Sequence, residues 1–423
     1  MSGQLNLFAP GAERSAKLGA QAFADALRGF TWQGRTTART TYRCTTTALE
    51  IPVFTNEFWT SDQRAGHSLH EISYRACFKP QLPRFFLDQL SHPGDVVFDP
   101  FAGRGTTLLE AALNHRTPAG CDVNPLSRAL ILPRLDPPTL EDVDRRLSAL
   151  SLQWTGSLPE DLLTFYHPNT LRQICALRHY LTERDGAGAI DAIDDWIRMV
   201  TLNRLTGHSP GFLSVYTLPP NQAVSVKAQR KINADRRQTP PERDLKATIL
   251  RKTRSLLADV DDPTREMLRR ARTTLRFHVG SSTDEFWRPE SVQLVVTSPP
   301  FLDVVDYAED NWLRCWFYGI AADEVPISMH SNLQAWQAFV SSAFRQYIRL
   351  LQPGGFIAFE VGEVRGGRVR LEETVIPAAV EVGARPLAIL VNEQVFTKTA
   401  NIWGVANNRK GTNTNRIVVF AKN

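Results

Sequence analysis

Apolar and polar positions follow two different periods along this chain, and the switches between them outline its architecture. Residues 1–65 hold no sustained period and are rich in Thr, Ala and Arg, so they read as an extended arm with one helix near residues 16–27. Leu82, Phe85, Phe86 and Leu90 then recur at helical spacing, with Pro80 before them and Pro93-Gly94 after, which predicts a helix with clear ends. The period changes at residues 95–99 (DVVFD), a short buried strand. A glycine-bearing loop at 100–107, a helix start at 108–114 and a strand at 118–123 complete a βαβ opening. From 130 to 276 the pattern is helical, as at 190–205, with loops at 207–220 and 238–241. Strand patterns return at 275–279 and 292–297, continue at 356–361 after Pro353-Gly354-Gly355, and close with 388–394 and 416–420. Such alternation predicts an α/β fold whose mostly parallel sheet is covered on both faces and interrupted by a largely helical insert.

Composition narrows the class. A chain of 423 residues that is 43% hydrophobic can bury one large core or two of ordinary size. Cys44, Cys77, Cys121, Cys175 and Cys315 are far apart, with no CxxC pair, so neither a disulfide framework nor a structural zinc is expected. No apolar stretch approaches the roughly 20 residues a bilayer requires, and Glu13 and Arg14 interrupt the start of the chain, so a cytoplasmic protein is expected. The net charge of +5 is unevenly placed. Residues 227–276 hold 15 Lys or Arg against 7 acids, a surplus of 8 that leaves −3 for the rest. A solvated helix face could carry such a run; so could a surface that tracks phosphates.

Two motifs carry chemistry. The first is DPFAGRGTT at residues 99–107, between a strand and a helix, where open α/β sheets bind ligands. Gly103 and Gly105 can take dihedrals closed to other residues, and Asp99 can accept hydrogen bonds, direct or through water, from a cationic amino-acid moiety. No Gly-Lys-Ser/Thr follows and the spacing is not GxGxxG, which excludes a P-loop and a dinucleotide fingerprint. Asp122, at the end of the next strand, is placed to hold a ribose diol, and the two features together describe a nucleoside pocket. A glycine-bearing strand-to-helix turn alone is also a common structural device. The second motif is TSPPF at residues 297–301, directly after an apolar strand. Its prolines fix the backbone and offer carbonyls without amide hydrogens, which also suits a merely rigid loop. With Ser298 before them and Phe301 after, they could grip a base swung out of a helix: Phe301 stacking, Ser298 and the Pro299 carbonyl accepting from an exocyclic amine.

These two motifs, residues 99–107 and 297–301, resemble the cofactor and catalytic motifs of the amino-group DNA methyltransferases. The resemblance covers residues 67–130 and 275–423. It implies a Rossmann-like, mostly parallel seven-stranded methyltransferase sheet, S-adenosylmethionine as cofactor and double-stranded DNA as partner, with neither metal nor membrane involved. It assigns Ser298, Pro299, Pro300 and Phe301 to catalysis, and Asp99, Pro100, Phe101, Gly103, Gly105, Thr106, Thr107 and Asp122 to the cofactor. Serine at the head of the catalytic motif is similar to the cytosine-N4 members, whereas adenine-N6 members usually have Asp or Asn there. The motif order resembles the alpha arrangement of that family, so residues 131–274 are expected to form a basic target-recognition domain and residues 1–66 an arm.

Further positions follow from the same resemblance. The segment HEISYRACFKP at 70–80 is similar to one that closes over the methionine part of the cofactor, which makes Tyr74, Arg75 and Phe78 candidates, each equally open to a core or capping role. GSSTD at 280–284 resembles the loop that touches the adenine, with Ser282 and Asp284 as acceptors, although the alpha arrangement would place that loop before the insert. Asp306-Tyr307 resembles the continuation of the catalytic loop, while the Asn and Arg residues of 413–420 are open to either role. Cytosine-C5 chemistry would need a Pro-Cys nucleophile, and no cysteine here follows a proline. An RNA guanine-N2 or adenine-N6 methyltransferase, and a DNA-binding protein without turnover, remain the competing expectations. Monomer and homodimer are both open, as is a companion restriction enzyme. Arg204, Arg236 and Arg237 are candidates for base contacts.

Overall fold

The computed structural model describes residues 19–59, 66–74, 77–218, 224–300, 307–325, 333–361, 363–364, 369–393 and 414–422. Its centre is a nine-stranded sheet. In chain order the strands are β1 (Ala38–Arg43), β2 (Glu50–Asn56), β3 (Val96–Asp99), β4 (Thr117–Asp122), β5 (Arg276–Val279), β6 (Val292–Thr297), β7 (Leu351–Val361), β8 (Ala384–Glu393) and β9 (Thr414–Lys422). They lie in the order β1-β2-β8-β9-β7-β6-β3-β4-β5. The stretch from β7 to β5 is parallel throughout, because each of its strands is followed by a crossover. β9 runs antiparallel to both β7 and β8, and β1 antiparallel to β2.

The expected seven-stranded sheet is therefore corrected to nine strands of mixed direction. The two extra strands come from the segment read as an arm, where β2 pairs in parallel with β8 and β1 forms the edge. β1 buries only Tyr42 and so shows no alternation, while β2 carries Pro52 in mid-strand, a residue that argues against a sheet interior. The pair closing the sheet agrees with the sequence pattern, Ile389 standing opposite Val418.

Burial explains the central strands. Every position of β6 is buried, because helices cover both faces: α1 (Ala20–Gly29) and α2 (Gln81–Leu90) on the side of Leu294 and Val296, α12 (Leu333–Leu350) and α13 (Glu372–Glu381) on the side of Val295. Between β4 and β5 the chain forms α4 (Leu126–Ile131), α5 (Leu140–Ala149), α6 (Pro168–Gly186), α7 (Ala192–Leu202), α8 (Val226–Arg236), α9 (Leu245–Leu256) and α10 (Asp262–Thr274). Side-chain caps open several of them: Thr139 for α5, Asp191 for α7, Ser225 for α8, Asp244 for α9 and Asp261 for α10. Their apolar faces share one core with α3 (Thr106–Leu113) and α11 (Tyr307–Tyr318), reaching from Leu108 through Trp196 and Leu268 to Leu313. The helical layer is thus packed onto the sheet domain rather than built around a core of its own.

Candidate active site

The chain leaves β3 toward β4 and β5 on one side and resumes at β6 and β7 on the other, so the strand order reverses between β3 and β6. Phe98 pairs with Val295, which brings the carboxyl ends Asp99 and Thr297 side by side. Such a switch point opens a crevice between neighbouring loops.

Residues 100–105 turn β3 into α3. Ala102 N donates to Cys121 O (3.0 Å), and Gly105 N to Ala102 O (2.6 Å). Gly105 caps α3 at φ 74°, and a Cβ there would come within 2.3 Å of Ile131 Cγ1, so both dihedral and space demand glycine. At Gly103, φ 50°, a Cβ would meet Cys77 Sγ at 3.5 Å and Tyr74 Cε1 at 3.7 Å, ordinary contacts that show the 70–80 segment lying against the loop. Arg104 holds that strap, donating from Nη1 to Ile72 O (2.7 Å) and from Nη2 to Phe78 O (3.4 Å). Buried Arg134 ties the other side, donating to Leu69 O (3.2 Å) and to Arg104 O. Of the strap candidates, Tyr74 is buried and Phe78 half-buried, while Arg75 lies outside the described residues.

Two carboxylates organise the loop. Asp99 is buried, and its Oδ1 accepts from Thr297 Oγ1 (2.7 Å) and Phe101 N (3.1 Å). Burial pushes its pKa up to about 6 against those hydrogen bonds. Asp122 accepts from Gly103 N with Oδ2 (2.7 Å) and from Asn124 N with Oδ1 (2.8 Å); burial raises its pKa also. Pro100 is buried and its carbonyl accepts from Cys121 Sγ; the Phe101 ring faces Phe339, centroids 5.7 Å apart. Thr106 Oγ1 accepts from Arg104 Nε, and Thr107 Oγ1 donates to Val296 O (3.3 Å), a second tie from α3 to β6.

The loop after β5 joins the same rim through Gly280 N, which donates to Asp122 O (2.9 Å). Asp284 is largely spent within that loop, its Oδ2 accepting from Ser281 N (2.9 Å) and lying 3.2 Å from His278 Nε2. Ser282 Oγ of this loop and the Tyr347 hydroxyl are buried side by side. After β6, Ser298 is half-buried and Pro299 buried, and the Pro300 carbonyl accepts from the fully buried Trp336 Nε1 (2.9 Å). Phe301 and Asp306 lie outside the described residues, and Tyr307 begins α11. At the closing strand, Arg416 pairs with buried Glu372 (3.0 Å).

The structure thus gathers Tyr74, Asp99, Phe101, Gly103, Gly105, Thr106, Thr107, Asp122, Ser282, Asp284 and Ser298 into neighbouring loops of one rim. Sequence reasoning gave no part to Arg104, Arg134, Thr297 or Trp336. Thr297 stood within the quoted motif, and its hydroxyl before Ser298 was the available signal. Arg104 and Arg134 bind main-chain carbonyls, which leave no signature in residue type.

Residues 41–130 match the DNA methylase family of the N6/N4 type. The type II methyltransferase M.MjaII of Methanocaldococcus jannaschii is 36% identical over 61 residues, a stretch that spans 14% of this chain and 11% of that relative. Among solved structures, geranyl diphosphate C-methyltransferase from Streptomyces coelicolor A3(2) aligns at 8% identity and a TM-score of 0.32, over 80% of this chain and 78% of that one. TrmN from Thermus thermophilus aligns at 13% identity and a TM-score of 0.32, over 84% and 52%.

Proposed function

We propose that this chain is an S-adenosylmethionine-dependent amino-group DNA methyltransferase that acts on a flipped base, with cytosine N4 as the acceptor. The observation that carries this reading is the Thr297–Asp99 hydrogen bond, which locks the glycine loop and the Ser298 loop together at adjoining strand ends. The family match over residues 41–130 includes the whole glycine loop and supports it.

The donor set suits the nucleoside part of the cofactor. Each Asp122 oxygen already takes one main-chain hydrogen bond and keeps a second lone pair for a ribose hydroxyl. Ser282 Oγ in the adjoining loop, buried beside the Tyr347 hydroxyl, offers a further group to the adenine. The bound cofactor supplies an electrophilic methyl on sulfonium. Tyr74 and Phe78, with Arg104 pinning their strap, shelter its methionine end from water.

The acceptor amine is a poor nucleophile because its lone pair is delocalised into the ring, so orientation carries the chemistry. Ser298 Oγ and the Pro299 carbonyl accept from the amine, drawing its lone pair toward the methyl, while Trp336 fixes the loop through the Pro300 carbonyl. Holding such partners in line lowers a barrier by about 7–11 kcal/mol. Phe301 stacks on the base. Ser298 rather than an acid favours cytosine N4 over adenine N6. Methylation of unmodified duplex DNA by the purified chain, read by nucleoside mass spectrometry, tests this: N4-methylcytosine is expected. N6-methyladenine would overturn the acceptor assignment, and methylation of RNA alone would overturn the partner.

A further inference from the structure

Beside the strap that covers the glycine loop, two cations lie near enough to influence one another, and the carboxylate of Glu71 acts on both. Arg204, just past α7, has its guanidinium carbon over the Phe212 ring, 4.1 Å from the centroid, and its Nε donates to Asn203 O (2.8 Å). Lys252, on α9, is 10% exposed, and its ammonium reaches Glu71 Oε2 at 3.4 Å. Glu71 is 56% exposed and also accepts from Ser255 Oγ (2.9 Å). Burial and the neighbouring Arg204 push the Lys252 pKa down to about 8, and burial pushes that of Arg204 down to about 10, with Arg314 adding to the fall and Glu71 opposing it. Glu71 acts on both cations and offsets one of the two charges, so the pair keeps a net positive charge in a partly dry setting, which a further anion would relieve.

Their placement is fixed by the strap itself. Asn203 Oδ1 accepts from Ser73 N (2.6 Å), Ser68 Oγ donates to Leu256 O (2.8 Å), and Asp259 Oδ2 accepts from Ser68 N (2.8 Å). The end of α7 and the end of α9 are therefore both fastened to the segment whose Tyr74 covers Gly103.

We propose that Arg204 and Lys252 form a subsite for a backbone phosphate of the strand that carries the target base; the proposal rests on the nucleic-acid reading above. A phosphodiester has two non-bridging oxygens, one for each cation. The Phe212 ring under the guanidinium and the hydrogen bond from Nε to Asn203 O limit the freedom of Arg204, which lowers the ordering cost of such a contact. A contact of this kind sets the position of the strand and carries no sequence information, so these residues are assigned to the phosphate and not to base edges.

The test is the salt dependence of duplex binding by the full chain, followed by fluorescence anisotropy for wild type, Arg204→Gln, Lys252→Met and the double variant. Lys252→Met removes a buried charge and keeps the volume of the side chain, so it guards against loss of fold. Each single variant is expected to lower the slope of log K against log salt by about 0.9, and the double variant by about twice that. Duplexes of unrelated sequence should weaken alike, with S-adenosylhomocysteine affinity by calorimetry unchanged. Wild-type slopes in both variants would overturn the subsite while leaving the methyltransferase reading intact. So would weakening confined to one duplex sequence among several, or a primary loss of S-adenosylhomocysteine affinity. A wild-type chain that binds no duplex would overturn both.

Discussion

The rim at the carboxyl ends of β3 and β6 and the helical layer between β4 and β5 are held by different forces. At the rim, short polar links join residues distant in sequence: Thr297 to Asp99, Thr107 to Val296, Arg104 to the strap, Trp336 to Pro300. In the helical layer a continuous apolar core carries most of the packing, with Trp196 fully buried and donating from Nε1 to Thr253 Oγ1 across α7 and α9 (3.1 Å), and polar links such as buried Asp194 with Arg146 and Arg184 join neighbouring helices within it. Hydrogen bonds are directional and fix atoms closely, as chemistry requires, whereas apolar packing fixes faces and leaves exposed side chains free to vary. The layer still shares its core with α3, so the helices also brace the helix that the glycine loop opens.

That difference can be broken from either side. Trp196→Ala should act on stability alone and most strongly, by about 3–5 kcal/mol, because it empties a closed site. Far-UV circular dichroism on heating should show helix and sheet lost together. A helical signal that melts first while S-adenosylhomocysteine still binds would show that the layer is an independent unit. Ser298→Ala should do the opposite, leaving the melting temperature and cofactor affinity in place while kcat falls about 10²–10³-fold, the range for losing one orienting polar group. Undiminished methyl transfer by that variant would discredit the assigned site.

Thr297→Val tests the tie between the two loops. A hydrogen bond to a charged acceptor contributes about 1.5–3 kcal/mol, so a kcat loss of ten-fold or more is expected with little change in cofactor affinity. Its partner gives a pH signature. The folded-state pKa of Asp99, about 6, lies above its ordinary 3.8, so its contribution to stability is fully present below that ordinary value and is lost as pH rises through 6. Asp99→Asn should therefore gain stability relative to wild type as pH rises from about 4 to about 6. Equal pH dependence of the two melting temperatures would contradict a carboxylate whose burial outweighs its hydrogen bonds. The smallest effect belongs to Thr139→Ala at the start of α5, which should lower stability by about 1 kcal/mol, measured by urea denaturation, without touching kcat.

How much of this was legible in the sequence depended on what each residue contacts. β6 could be read because a strand buried on both faces is mostly apolar, Val292 and Leu294 to Val296 here, and α7 because its apolar positions recur at helical spacing. β1 could not, since an edge strand that buries one tyrosine has no period, and the expected arm turned out to supply two strands. The loop positions of Asp99, Gly103 and Gly105 were legible from residue type, but the inward use of the Asp99 carboxylate was not: its partner Thr297 lies far along the chain. Asp284, expected to face an adenine, also braces its own loop through Ser281 N, a use that residue type did not announce.

The most direct measurement is a crystal structure of the chain with S-adenosylhomocysteine. A nucleoside lodged between the residues after Asp99 and those after Asp122, its sulfur turned toward Ser298, is the expected result. The ligand bound at the opposite ends of these strands, or with its sulfur walled off from Ser298, would contradict the account.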